Sequence, residues 1–182
     1  MRVSVLGFLA GVLLLYSLQP EAAASRQEPS NPALRKVATE EQLRAAPAFT
    51  LPDLKGRQNK SLDLQNSIVV LDFWATWCGP CIGEIPAFNS LQDKYASRGV
   101  RVIGLAVQSG WPRDIQKFAT RYKMRYTILV GNDDTVSDFD VINFPTTYII
   151  SPGWKVYKKY SGTYEGKSAE IERDIEALLQ SK

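Results

Sequence analysis

Histidine is missing altogether from the 182 residues, and cysteine occurs only twice. The first absence removes the serine and cysteine triads that need an imidazole base, histidine-bound zinc and the usual haem ligand. The second leaves no framework of structural disulfides, and it bars a cysteine-rich zinc site unless two chains share it or carboxylates complete it. Charge of one sign is also scarce. Lys+Arg 22 against Asp+Glu 19 leaves a net charge of +3, too small and too evenly mixed for a nucleic-acid footprint. With 10 prolines, 12 glycines and 45% hydrophobic residues, the composition is that of an ordinary globular chain rather than a disordered one. Whatever chemistry it performs runs without imidazole.

Long apolar runs are confined to the start. Arg2 is followed by an almost unbroken apolar stretch from Val3 to Leu18, then Gln19-Pro20-Glu21 and the small-residue cluster Ala22-Ala23-Ala24-Ser25. A short positive start, an apolar middle and an A-x-A-like site form the layout of a secretory signal. The run is slightly short for a membrane span of about 20 residues. Residues 1–24 are therefore expected to be either a cleaved signal peptide or a retained amino-terminal anchor through residues 3–18, and both place the domain outside the cytoplasm. Residues 25–45, rich in charge and carrying Pro29 and Pro32, read as a flexible lead-in. Residues 46–182 read as one α/β domain, long enough to bury its own core.

Within that domain, Ala48–Leu51 and Ser61–Leu64 are expected to form a small extended pair. Ile68–Ala75 is nearly all apolar and predicts a strand buried on both faces. A helix follows over about 79–97, where Ile82, Ile85, Phe88, Leu91 and Tyr95 recur at helical spacing, with Pro86 expected to kink it. Strands are predicted over 100–107, 126–130 and 146–150, and a hairpin arm over 155–161. Pro112 opens a further helix, Thr135–Phe139 forms a helical turn, and a closing helix spans 168–179. The fold class is a mixed central sheet with helices on both faces.

The two cysteines stand as Trp77-Cys78-Gly79-Pro80-Cys81. A disulfide across so few residues removes little chain entropy, which argues against a merely stabilising bond. Cys78 follows a buried strand and opens a helix, so its thiolate would meet unpaired amide donors and the positive end of the helix dipole, lowering its pKa below that of a free thiol. Cys81, one turn on and expected to be less exposed, can close onto Cys78 after a mixed disulfide has formed. Two soft thiolates also suit Cu(I), so a copper metallochaperone is the alternative from a different class. Nothing resembles the peroxiredoxin threonine-cysteine motif.

Asp72-Phe73-Trp74-Ala75 before the cysteine motif, Pro86 five residues after the second cysteine, and Phe144-Pro145-Thr146-Thr147 downstream together resemble the thioredoxin superfamily. Ala46-Pro47-Ala48-Phe49-Thr50-Leu51 and Cys81-Ile82-Gly83-Glu84-Ile85-Pro86 are similar to the exported TlpA/ResA-like thiol-disulfide oxidoreductases. The resemblance implies a thioredoxin fold with an amino-terminal extended hairpin and a strand-helix insertion, placed between Val107 and Phe139. It also implies a cis Pro145 beside the cysteines, and a substrate surface drawn from Trp77, Gly79, Pro80, Phe144, Pro145 and Thr146. Phe144 would offer backbone groups to an extended substrate segment.

Two carboxylates are candidates for proton transfer. Glu84, three residues past Cys81, is either a solvated surface residue or, as the resemblance implies, an acid-base group at the disulfide. Asp72 lies in an otherwise apolar strand where an uncompensated charge is costly. The resemblance implies no cofactor. It implies protein thiol or disulfide substrates, such as apocytochrome c in cytochrome c maturation or a copper-site assembly protein. It also implies a membrane thiol electron donor and a place in the periplasm or at the outer face of the cytoplasmic membrane. Reduction is the expected direction, with oxidase or isomerase activity as the other possibility.

Overall fold

The computed structural model describes residues 43–181; the expected leader, and most of the expected lead-in, lie outside them. The described chain runs β1 (Thr50–Pro52), β2 (Gln58–Lys60), a 3-10 turn (Ser61–Leu64), β3 (Ile68–Trp74), α1 (Gly79–Tyr95) and β4 (Val100–Ala106). It continues with α2 (Pro112–Arg121), β5 (Thr127–Val130), α3 (Asp133–Asp138), β6 (Thr146–Ser151), β7 (Lys155–Ser161) and α4 (Lys167–Gln180). The window Val107–Phe139 thus holds α2, β5 and α3.

Five strands form one sheet in the order β5-β4-β3-β6-β7, and β1 pairs with β2 apart from it. The strand β3 is central because its sequence, Ile-Val-Val-Leu-Asp-Phe-Trp, is buried at all seven positions, as a strand covered on both faces requires. It runs parallel to β4 and antiparallel to β6. Alternation along β3 sorts its side chains to two faces. Ile68 and Val70 pack with Ile85, Phe88 and Leu91 of α1 and Ile171 and Ile175 of α4. Val69, Leu71 and Phe73 face the other way, against Leu51, Phe139, Val141 and Trp154. Helices α1 and α4 therefore cover one face, while the β1–β2 hairpin and short α3 cover the other.

Local chemistry sets the element boundaries. Cys78 caps α1, its Sγ accepting from the Cys81 amide at 3.3 Å, and α1 continues through Pro86. Gly99, at φ 83°, ends the following 3-10 turn in the left-handed region, where a side chain would be strained. Pro112 opens α2, and the Asn132 side chain accepts from the Thr135 amide at 2.9 Å to cap α3. The chain before β1 is drawn across the sheet. Ala45 bridges Lys155 of β7, and Asp53, just past β1, bridges Leu129 of β5.

The extended pair differs from its expected form. Asp53 Oδ1 accepts from the amides of Lys55 and Arg57, closing a tight turn, so the return strand starts at Gln58. The pairing ends at Lys60. Ser61–Leu64 is not a strand arm but a 3-10 turn, with Ser61 Oγ taking the Phe49 amide at 2.9 Å and Leu62 exposed.

Candidate active site

Register brings the distant parts of the site together. Phe73 of β3 lies opposite Thr146 of β6 in antiparallel pairing, so Pro145 falls beside the chain as it leaves β3 for the cysteines. The Phe144–Pro145 bond is cis. Trp77 meets Phe144 edge to face at 5.7 Å between ring centroids. The loop carrying the first cysteine is held from the β4 side as well. The Trp77 indole donates to Gln108 O at 3.0 Å, and the Thr76 amide donates to Ser109 Oγ, itself bonded to Val107 O.

Cys78 and Cys81 form a disulfide with Cα atoms 5.4 Å apart. The expected difference in exposure is not found: both cysteines are buried, at 4% and 5%. They pack in one cluster with Trp74, Ala75, Ala106, Ile115 and Ile128. Helix α1 begins immediately, and Gly79 and Pro80, between the two cysteines, are exposed. Of the expected substrate surface, Trp77 is 63% exposed, Phe144 half-buried and Pro145 buried. Thr146 is buried, its hydroxyl donating to Asn143 O at 2.8 Å, so its side chain closes the proline loop.

The two carboxylates occupy different environments. Asp72 is fully enclosed on β3, opposite Gly104 on one side and Thr147 on the other. It shares the face of Val70 and Trp74, beneath α1, and its Oδ1 accepts a hydrogen bond from Thr147 Oγ1 at 2.9 Å. Burial, reinforced by the charge of Glu84, pushes its pKa from 3.8 up to about 8, against the opposing influence of Lys167 and the Thr147 hydroxyl. Enclosure thus favours the protonated form of Asp72 well above the ordinary carboxylate range.

Glu84 is not a free surface residue. Lys167 Nζ lies 2.8 Å from its Oε1 and 3.0 Å from its Oε2, and Thr163 Oγ1 donates to Oε1 at 3.0 Å. The Lys167 side chain is only 4% exposed, and its third contact is to Gly162 O at 2.9 Å. Lys167, Thr147 and Thr163 were not legible as site residues. Their partners lie 75 to 83 positions away along the chain; Thr147 falls in the Phe144-Pro145-Thr146-Thr147 motif, but nothing there points to Asp72, and no local motif marks Lys167 or Thr163. Trp74 carries the one buried side-chain polar atom without a partner among the described residues, its indole nitrogen. No group of three or more potential metal ligands occurs among the described residues.

A cysteine pair opening a helix at the carboxyl end of a central parallel strand, with a cis-proline across from it, is the arrangement of the thioredoxin fold. The AhpC/TSA family matches residues 43–159, and the chain belongs to that family. It is 36% identical over 135 residues to the thiol-disulfide oxidoreductase ResA of Geobacillus thermodenitrificans, covering 73% of this chain and 75% of the relative. It is 32% identical over 132 residues to the thioredoxin-like protein YneN of Bacillus subtilis, covering 72% and 78%. Among solved structures, a thiol:disulfide interchange protein DsbE from Chlorobium tepidum superposes with a TM-score of 0.71 at 31% identity, covering 75% of this chain and 96% of that one. The chain is a thiol-disulfide oxidoreductase with Cys78 and Cys81 at disulfide distance.

Proposed function

We propose that the chain is an exported reductant of protein disulfides, recharged by a membrane thiol carrier. The observation that carries this reading is the Cys78–Cys81 pair opening α1 beside the cis-proline, with Gly79 and Pro80 between the cysteines. In the reduced protein, the Cys78 thiolate attacks a substrate disulfide, the substrate's first sulfur leaves as a thiolate, and a mixed disulfide forms. Trp77, Gly79 and Pro80 frame the entry, and the Phe144 backbone pairs with the extended substrate segment. Cys81 then gives up its proton and attacks Cys78 Sγ, releasing the substrate's second thiolate. Two electrons pass to the substrate, and the enzyme is left with its disulfide.

Asp72 and Glu84 supply the acid-base groups around Cys81. The substrates that fit a dedicated reductant outside the cytoplasm are apocytochrome c cysteines or those of a copper-site assembly protein. The apolar stretch at residues 3–18 either directs export and is removed, or keeps the domain at the outer face of the cytoplasmic membrane. Among the described residues, no helix is long and apolar enough to cross a membrane.

The deciding measurement is the reduction potential of the Cys78/Cys81 pair in graded thiol-disulfide buffers. A value near the thioredoxin end, about −270 mV, is expected for a reductant, whereas one near about −120 mV assigns the protein to oxidation instead. Cys78→Ser is expected to abolish disulfide reduction altogether, and a variant retaining full activity would remove Cys78 as the nucleophile.

A further inference from the structure

Lys167 is the first residue of α4, yet its ammonium group is almost sealed from solvent. An isolated buried ammonium is costly, and the usual solution is to neutralise it or to place it on a counter-charge. Here the counter-charge is Glu84, on the turn of α1 that follows Cys81, with the Gly162 carbonyl and Thr163 hydroxyl completing the cage. On β3, within the electrostatic reach of Glu84 and Lys167, lies Asp72, which has no ion-pair partner among the described residues; the position beside it on β4 is Gly104. The site thus holds two carboxyl groups and one buried cation, and the cation belongs to the outer carboxylate.

We propose that Lys167 is a positioning residue of the redox site: acting through Glu84, it governs when the Asp72 carboxyl gives its proton to the Cys81 sulfur and when it takes that proton back. The inference rests on the oxidoreductase reading above and deepens it. During recharging, a donor thiolate attacks Cys78 Sγ, the Cys78–Cys81 bond breaks, and Cys81 leaves as a thiolate that takes the proton of Asp72. The donor's second thiolate then displaces Cys78, and the donor dithiol leaves as a disulfide. In substrate reduction the proton returns from Cys81 to Asp72. Bound to Glu84, Lys167 moderates that carboxylate's negative field at Asp72. Without Lys167, the anion of Glu84 acts on Asp72 unopposed and Asp72 holds its proton to higher pH.

A cavity of about 210 Å³ lined by Gly83, Glu84, Thr163, Tyr164, Lys167 and Ser168 opens against the ion pair, while Asp72 itself stays enclosed. The charged groups that act on Asp72 are Glu84 from α1 and Lys167 from α4, and Asp72 acts in turn on Tyr126 from the segment before β5. Burial and both carboxylates push the Tyr126 hydroxyl up, beyond the range of the test.

The test is the pH dependence of disulfide reduction by a small dithiol in the full-length oxidised protein. Each rate is divided by that of Asp72→Asn, which removes the donor's own ionisation. The parent is expected to show one inflection owed to Asp72. Lys167→Met should move it upward by about one pH unit or more, Glu84→Gln should move it downward, and Lys167→Arg should restore the parent profile. A Lys167→Met profile that superimposes on the parent overturns the proposal. If Lys167→Met does not fold, Glu84→Gln decides, because an unmoved inflection in that variant overturns the proposal equally. Activity surviving in Cys78→Ser would sink the oxidoreductase reading instead, so the two failures are told apart.

Discussion

Asp72 keeps its proton in the fold far beyond the pH at which an exposed aspartate loses it, which ties stability to pH with a definite sign. Its pKa is 3.8 when unperturbed and about 8 in the folded protein. The unfolded chain therefore binds fewer protons between those values, and stability falls as pH rises. This contribution is whole below about pH 4 and is lost as pH climbs through about 8. Asp72→Asn removes the dependence while keeping an acceptor for Thr147. In urea titrations of the oxidised protein, the variant is expected to match the parent near pH 4 and to exceed it at pH 9 by at least about 1.4 kcal/mol, the equivalent of one pH unit. An identical difference at both pH values would contradict the assignment. At this scale the site was partly legible. Cys78, Cys81 and Asp72 announce themselves by local pattern, since a charge inside an apolar strand or two cysteines at a helix start is visible in a short window. Lys167 was not legible, because Glu165-Gly166-Lys167 looks like any polar turn and its burial comes from a helix 83 residues earlier.

Strands and helices followed their periods closely, and the exception is instructive. Ser61-Leu62-Asp63-Leu64 alternates as a strand does, but the turn built on Asp53 uses only a few residues, so the ladder is already spent by Lys60. Turn geometry, not side-chain alternation, fixed the register there. Close packing between elements shows at Gly104 of β4, where an added Cβ would stand 2.7 Å from Trp74 Nε1 and 3.1 Å from Tyr126 Cε2. Gly104→Ala is therefore expected to cost about 1–3 kcal/mol, as overpacking does, measurable as a lowered urea midpoint with an unchanged slope. A neutral Gly104→Ala would mean that Trp74 can move aside. Helices α1 and α4 are joined at both ends, by Glu84–Lys167 near the cysteines and at the far end by Tyr95, Lys94 and Arg98 against Glu172 and Glu176.

At the scale of the whole described chain, the segment before β3 serves as the second layer. Trp154, buried in the turn between β6 and β7, fastens it: its indole donates to Pro47 O at 3.0 Å, its carbonyl accepts from the Ala46 amide at 2.9 Å, and its ring meets Phe49 edge-on at 5.9 Å. Trp154→Ala is expected to cost about 3–5 kcal/mol, read from the urea midpoint, and a loss below about 1 kcal/mol would show that the layer holds without it. The sequence marked this segment by its Ala-Pro-Ala-Phe opening but not by its path, since the bridges that define the path join residues more than 70 positions apart. That path starts at one outer strand of the sheet, β7, and ends at the other, β5. A five-stranded sheet has two rims of unpaired amides and carbonyls, each a template on which a second chain can add a strand. Because a single strap reaches both rims, at Lys155 of β7 and at Leu129 of β5, loosening it frees backbone groups at both ends of the sheet at once, where another strand can pair.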